Sequence, residues 1–189
     1  GAQIAGHAKG VFISFEGGEG CGKSTQSKML KEFLEAEGHT VVLTREPGGT
    51  DLGKELRDIM LHTHDHVSPR AEALLYAADR AHHVDTKIRP ALERGEIVIT
   101  DRYLDSSIAY QGAGRVLSPG EVGRISRWAT ESLIPTLTII IDLPAEVGIG
   151  RLKSRDRLER ESIAFHERVR QEFLSLALLD PERYLVVDG

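Results

Sequence analysis

The stretch that most restricts this chain is GGEGCGKST, residues 17–25, set between an apolar run, VFISF at 11–15, and a segment with helical periodicity. Gly17, Gly22, Lys23 and Ser24 fill the fixed places of G-x-x-x-x-G-K-[ST], the loop whose backbone N–H groups wrap the phosphates of a nucleoside triphosphate. Glycine suits those places because a backbone without Cβ takes up positive φ and lets an anion come close. The helix that follows turns the partial positive charge of its N-terminus on the same spot. The pattern assigns Lys23 to the β and γ phosphates and the Ser24 hydroxyl to Mg²⁺. Gly18, Glu19, Gly20, Cys21 and Thr25 complete the nucleotide-binding loop. Cys21 reads either as a small filler or as a thiol whose ionised form a helix N-terminus favours.

At 189 residues the chain suits one domain spanning 1–189, with a short mobile insert. Residues 1–10, GAQIAGHAKG, read as a flexible leader without the basic and apolar regions of a secretory signal. No segment approaches the ~20 apolar residues of a membrane span. The single cysteine excludes an intrachain disulfide and fits a reducing, cytoplasmic location. A net charge of −5 argues against a nucleic-acid-binding surface, so neither nucleic acid nor membrane is an expected partner. An anionic ligand therefore needs local positive charge, and RLKSRDRLER at 151–160 offers it. The bland alternative there is a solvated amphipathic helix.

Beyond the loop, Met29, Leu30, Phe33 and Leu34 have helical spacing, with Gly38 as a stop. VVLT at 41–44 reads as a buried strand running into REPGGT, whose charged groups would face the crevice of a parallel sheet. In DLGKELRDIML, 51–61, Leu52, Leu56, Ile59 and Met60 share a face with Arg57 off it. His62, His64 and His66 alternate on a loop that lacks the shape of a zinc site. Ser68, Pro69 and Glu72 open a helix that carries Tyr76 and Arg80 on one face and continues to Gly95, kinked or restarted at Pro90. EIVITDRY, 96–103, is a strand ending in Asp101-Arg102, with Asp101 where such proteins keep a metal or water ligand. SSIAYQGAG, 106–114, brings hydroxyls, Tyr110 and Gln111 just beyond it. Ser118, Pro119 and Glu121 start another helix, on which Trp128 reads as a core residue. TLTIIIDLP, 136–144, is a strand with Asp142 as a second possible metal ligand, and RYLVV is the last strand. Five strands interleaved with helices imply an α/β fold whose parallel sheet is covered on both faces.

A phosphate loop alone leaves switch, motor and kinase open. A guanine-nucleotide switch reads its base through N-K-x-D, yet the chain contains no asparagine and no D-x-x-G. A small kinase needs an acceptor site and a water-excluding lid. The Tyr76/Arg80, Asp101-Arg102 and Tyr110-Gln111 group meets the first demand, and the basic segment meets the second. Another nucleotide or nucleoside kinase, or a nucleotide-dependent regulatory module, remains open on these residues alone.

FEGGEGCGKST, TREPGGT, LLYAADRAHH, DRYLDSSIAYQG and DRLERESIAFHERV together resemble the thymidylate kinase family, from about Val11 to Gly189. The resemblance implies a P-loop fold of the nucleoside monophosphate kinase type. It also implies ATP-dependent conversion of dTMP to dTDP with Mg²⁺, and a homodimer. It implies that Tyr76 stacks on thymine, that Arg80 and Gln111 bond its edge, and that Ser107 lies beside the base. By the same likeness Arg57 and Arg102 hold the acceptor phosphate, Glu19 approaches the sugar 3′-hydroxyl, and Tyr110 blocks a 2′-hydroxyl. Glu46-Pro47 would shape the pocket through a cis bond. Family members carry a catalytic arginine in the phosphate loop or on the lid, here about 151–161. Gly20 stands at the loop position, so the duty passes to Arg151, Arg155 or Arg157, with Arg155 favoured. Between Arg151 and Leu158 this lid is several residues shorter than family lids that carry that arginine, and family members continue past the position of Gly189 with another helix.

Overall fold

A computed structural model describes residues 10–189, so the leader expected at 1–10 lies, but for Gly10, outside the described residues. Its strands are β1 Val11–Glu16, β2 Val41–Arg45, β3 Ile97–Asp101, β4 Leu137–Asp142 and β5 Tyr184–Asp188. They pair only in parallel, in the order β2-β3-β1-β4-β5. A central strand of such a sheet is buried on both faces, which is why VFISF and IVIT carry apolar runs rather than alternation. Phe12 packs with Val84, Ile88 and Leu92 on one face of the sheet. Its neighbours Ile13 and Phe15 pack with Leu30 and Leu34 on the other, so helices cover both faces.

The helices are α1 Lys23–Ala36, α2 Asp51–His62, α3 Pro69–His83, α4 Arg89–Glu93, α5 Leu104–Ser107, α6 Pro119–Ala129, α7 Ala145–Gly150 and α8 Ile163–Leu179. Ser68 and Ser118 cap α3 and α6 through the N–H groups of Ala71 and Glu121, as the sequence led one to expect. Thr50 and Ser162 cap α2 and α8 in the same way. None of the described helices is long and apolar enough to cross a membrane.

Three local expectations change. Trp128 is 82% exposed, not a core residue, because the buried stripe of α6 runs through Val122, Ser126 and Ala129. Met29 and Phe33 face solvent, leaving Leu30 and Leu34 as the contacts of α1 with the sheet. On α2, Leu52 and Ile59 are exposed while Met60 and Leu61 are buried, so the apolar face is rotated by one residue. The long helix read through to Gly95 is α3, a π-helical turn at Val84–Ile88 and then α4, with Pro90 in its first turn. A second π-helical segment, Ile108–Gly114, carries Tyr110 and Gln111, and both side chains are buried.

β1 lies between β3 and β4, so the chain leaves its carboxyl end at the point where the strand order reverses, the usual place for a ligand crevice. Register brings the polar strand ends together there: Phe15 lies opposite Asp101, and Asp101 opposite Arg45.

Candidate active site

At the carboxyl edge the phosphate loop meets the segment after β2, the Asp101–Gly114 segment and the basic segment. The loop is closed by close backbone approaches. Gly17 has φ 139°, and a Cβ there would sit 2.5 Å from the Ile141 carbonyl oxygen. Gly20 has φ 68°, and its Cβ would come within 2.1 Å of the Gly148 oxygen, so α7 can lie against the loop only while that position is glycine. Lys23, 7% exposed, folds back across the loop and donates to the Gly18 carbonyl at 3.2 Å. Cys21 is buried beneath, with its Sγ 3.7 Å from the ammonium. Gly22 precedes α1 and has no side chain to cap it, so the first N–H groups of a 14-residue helix are left for an anion.

Beside the loop, a small cavity of about 90 Å³ is lined by Glu19, Glu46, Pro47, Arg57, Tyr76, Arg102, Tyr110 and Gln111 among others. The Glu46–Pro47 bond is cis, as the resemblance implies. Arg80, 1% exposed, lies behind this wall: its Nε donates to Glu46 Oε1 and its Nη1 to Ser107 Oγ at 2.8 Å. The second oxygen of Glu46 meets His83 Nδ1 at 2.7 Å, and His83 Nε2 meets Thr44 Oγ1 at 2.7 Å. Burial works to raise the Glu46 carboxyl, but Arg80 and His83 outweigh it and hold it below the usual range. Gln111 is 1% exposed and its Nε2 has no hydrogen-bond partner among the described residues, a buried donor of the kind a ligand acceptor would satisfy.

Arg102 sits at the join of strand and loop with φ 74°, a left-handed conformation that costs on the order of 1–3 kcal/mol for a non-glycine residue. Its Nη1 donates to Gly17 O and to Ser106 Oγ, both at 2.9 Å, and its Nη2 to Tyr110 OH at 3.1 Å and Glu19 Oε1 at 3.3 Å. Tyr110 in turn donates to Glu19 at 2.9 Å. Burial would raise the Glu19 carboxyl, yet Arg102, Lys23 and the Tyr110 hydroxyl keep it below its ordinary value, so it stays an anion. Arg57 donates to the Pro47 carbonyl at 2.8 Å and leans toward the same cavity.

Ser24 and Asp101 line one cleft on the other side of the loop, together with Arg45 and Lys28. Asp142, read as a second metal ligand, is instead gripped by both ends of the Arg170 guanidinium, at 2.9 and 3.1 Å, which occupies both carboxylate oxygens. Of the lid arginines, Arg157 points inward to the Met60 carbonyl and to Glu72, which a sequence cannot distinguish from an outward course. Arg151 reaches the Gly20 carbonyl of the phosphate loop at 3.1 Å, while Arg155 is exposed and its guanidinium finds no partner among the described residues.

Sequence reasoning named Glu72 only as a helix start and passed over Glu16, Asp79 and His83; each of the four is buried with a polar partner 31 or more residues away in the chain. Glu16 left one trace, as the charged end of an otherwise apolar strand; the pairings of the other three left none.

A family model described as thymidylate kinase matches residues 15–189. The thymidylate kinase of Clavibacter sepedonicus is 62% identical over 184 residues, covering 95% of this chain and 87% of that protein. That of Bifidobacterium longum is 54% identical, covering 95% of this chain and 90% of the other. A crystal structure of thymidylate kinase from Ehrlichia chaffeensis superposes with a TM-score of 0.81 at 34% identity, over 94% of this chain and 92% of that one. With a family match over residues 15–189, relatives at 54–62% identity and a phosphate loop set on a sheet of this topology, the chain belongs to the thymidylate kinase family.

Proposed function

We infer that the protein transfers the γ-phosphoryl group of ATP to dTMP, giving ADP and dTDP for dTTP synthesis. The observation that carries this is the second pocket: an anion-binding loop shares Glu19 and Arg102 with a cavity walled by Tyr76 and the unpaired amide of Gln111. Two nucleotides can then meet tail to tail, one on each side of Arg102.

In this reading Tyr76 stacks on the thymine. Gln111 and the remaining Nη2 of Arg80 bond its edge, with Ser107 and Glu46 holding Arg80 in place. Arg57 and Arg102 take the acceptor phosphate, and Glu19 takes the 3′-hydroxyl of a sugar lying against Tyr110. The nucleophile is a phosphate oxygen already ionised at neutral pH, so no strong general base is required, and catalysis reduces to alignment and neutralisation of charge. Lys23 supplies charge from the loop, and Arg155 or Arg151 from a lid at 151–161. Ser24 and Asp101 fit a hard divalent cation, since a hydroxyl and a carboxylate line one cleft beside the loop. Ser24 and Asp101 would hold Mg²⁺, and the chemistry it would supply there is positive charge to offset that of the phosphates. The resemblance extends the proposal to a cytoplasmic homodimer, which sedimentation of the purified protein tests.

Turnover measured with ATP, Mg²⁺ and each nucleoside monophosphate decides the reading. dTMP should be fastest, and dUMP should trail by only ~10–200-fold, because one methyl group contributes about 1–3 kcal/mol of discrimination. Faster turnover of AMP, GMP or UMP would reject it, and triphosphate binding without any monophosphate turnover would favour a regulatory module.

A further inference from the structure

Glu16 ends β1 buried, 0% exposed, and among the described residues no cation is bonded to it. Its Oε2 accepts from the N–H of Tyr103 at 3.0 Å and of Ser106 at 3.3 Å, and its Oε1 from Ser106 Oγ at 2.6 Å. These are the start of α5, whose N-cap residue, Tyr103, has no side chain able to cap it. A carboxyl group from 87 residues upstream therefore does the capping. The same Ser106 hydroxyl accepts from Arg102 Nη1 at 2.9 Å.

We propose that Glu16 is a positioning residue for phosphoryl transfer, holding Arg102 both through the peptide that follows it and through the Ser106 hydroxyl on which its guanidinium rests. Arg102 needs such support, because a left-handed arginine persists only where its surroundings over-determine it. Stability alone does not account for a carboxyl in this place. Burial and then the nearby Asp105 push Glu16 up to about 8, against the pull of Ser106, Arg102 and Arg80, so the fold carries a group that resists ionisation there. Three donors fixed on a buried acceptor give instead what an aimed guanidinium requires, a turn with one geometry. The inference rests on the dTMP kinase reading above.

Glu16→Gln, assayed at about pH 9 so that the wild-type carboxyl is ionised, keeps the volume but replaces one acceptor with a donor, and Ser106→Ala removes only the hydroxyl link. Both should lower kcat, by ~10–100-fold and ~5–20-fold, with KM for ATP within about twofold of the wild type. In an Arg102→Ala background, Glu16→Gln should add no further loss, since the group it aims is gone. A merely structural Glu16 would show full kcat per folded molecule, or the same loss with and without Arg102, and either result overturns the proposal. Should Glu16→Gln fail to fold, Ser106→Ala decides alone, and a kcat within twofold of wild type overturns it. A wild-type protein with no dTMP turnover would instead overturn the kinase reading itself.

Discussion

The arginines of the acceptor side and those of the lid are alike in chemistry and opposite in how they are held. Arg80 and Arg102 have side chains 1% and 15% exposed, and each is tied to a carboxylate and a serine hydroxyl. Arg151 makes one exposed bond to a loop carbonyl, and Arg155 is exposed. The first pair is charge placed in advance, desolvated and compensated, so a substrate phosphate or base meets it without reorganisation. The second is charge left in water, where it contributes little until a ligand draws it in. A kinase benefits from both, because a site permanently rich in uncompensated cations would be costly to fold, and one with none would leave the transferring group unneutralised.

The comparison is most sharply tested at Arg102. Arg102→Ala keeps the same left-handed strain, so the change falls on the guanidinium: kcat should drop by ~10³–10⁵, about 4–7 kcal/mol, with ATP affinity nearly unchanged. Equal losses in both, read from steady-state kinetics and nucleotide titration, would mean the residue serves the donor and not the acceptor. Arg80→Leu should come next, and should act on stability as well as on substrate. Glu46 would stay buried with only His83 beside it, and breaking such a pair costs about 3–5 kcal/mol in denaturant unfolding. A loss under about 1 kcal/mol would show that His83 alone satisfies the carboxylate.

What could be read from the chain divides along the same line. The phosphate loop and the sheet were legible because their signals are local: a spacing of glycines and lysine, and apolar runs long enough for strands buried on both faces. The sharing of a face by Tyr76 and Arg80 followed from their four-residue separation. The clamps were not legible, since Glu16 finds Ser106 and Glu72 finds Arg157 only once register and crossovers have fixed which strand end meets which helix. Arg155 and Arg157 stand two apart in one basic run, yet one is exposed and the other reaches Glu72, a difference set by Glu72 and not by anything near them in sequence. Trp128 failed for the opposite reason: an aromatic is assumed to be inside, and periodicity on α6 does not say which of its faces meets α3, α5 and the 108–114 segment. The π-helical turns left no mark in composition either.

The lid side calls for smaller numbers and a different signature. Arg155→Ala should lower kcat by ~10–100-fold, about 1.4–2.8 kcal/mol, while unfolding shifts by less than about 0.5 kcal/mol, because an exposed side chain without partners holds nothing together. Arg151→Ala, made beside it, separates the two candidates: the larger loss of kcat marks the residue that meets the transferring group. If Arg151 proves dominant, the contact with Gly20 already places the lid charge, and the contrast between the two regions narrows.

The smallest effect concerns Asp79, which belongs to the locked side without being tied to any arginine. Its Oδ1 accepts from the Gly48 N–H at 3.1 Å, and its Oδ2 has no partner among the described residues. Burial, and then the Glu46 charge, push this carboxyl from 3.8 up to about 6, against the Gly48 bond, Arg80 and His83. With the folded value raised, the native state keeps a proton that the unfolded chain has already lost. The stability it contributes is therefore fully present below about pH 3.8, declines as pH rises toward 6 and is gone above that. Between pH 5 and 7 the wild type should lose on the order of 1 kcal/mol relative to Asp79→Asn, which cannot titrate. Urea midpoints of the two proteins at both pH values measure it, and Arg155→Ala should run parallel to the wild type. A wild type that stays level with Asp79→Asn over that interval would mean the carboxyl is already ionised in the fold at pH 5. The turn after β2 would then be held by a charge facing Glu46, and the acceptor side would be under more electrostatic strain than its arginines suggest.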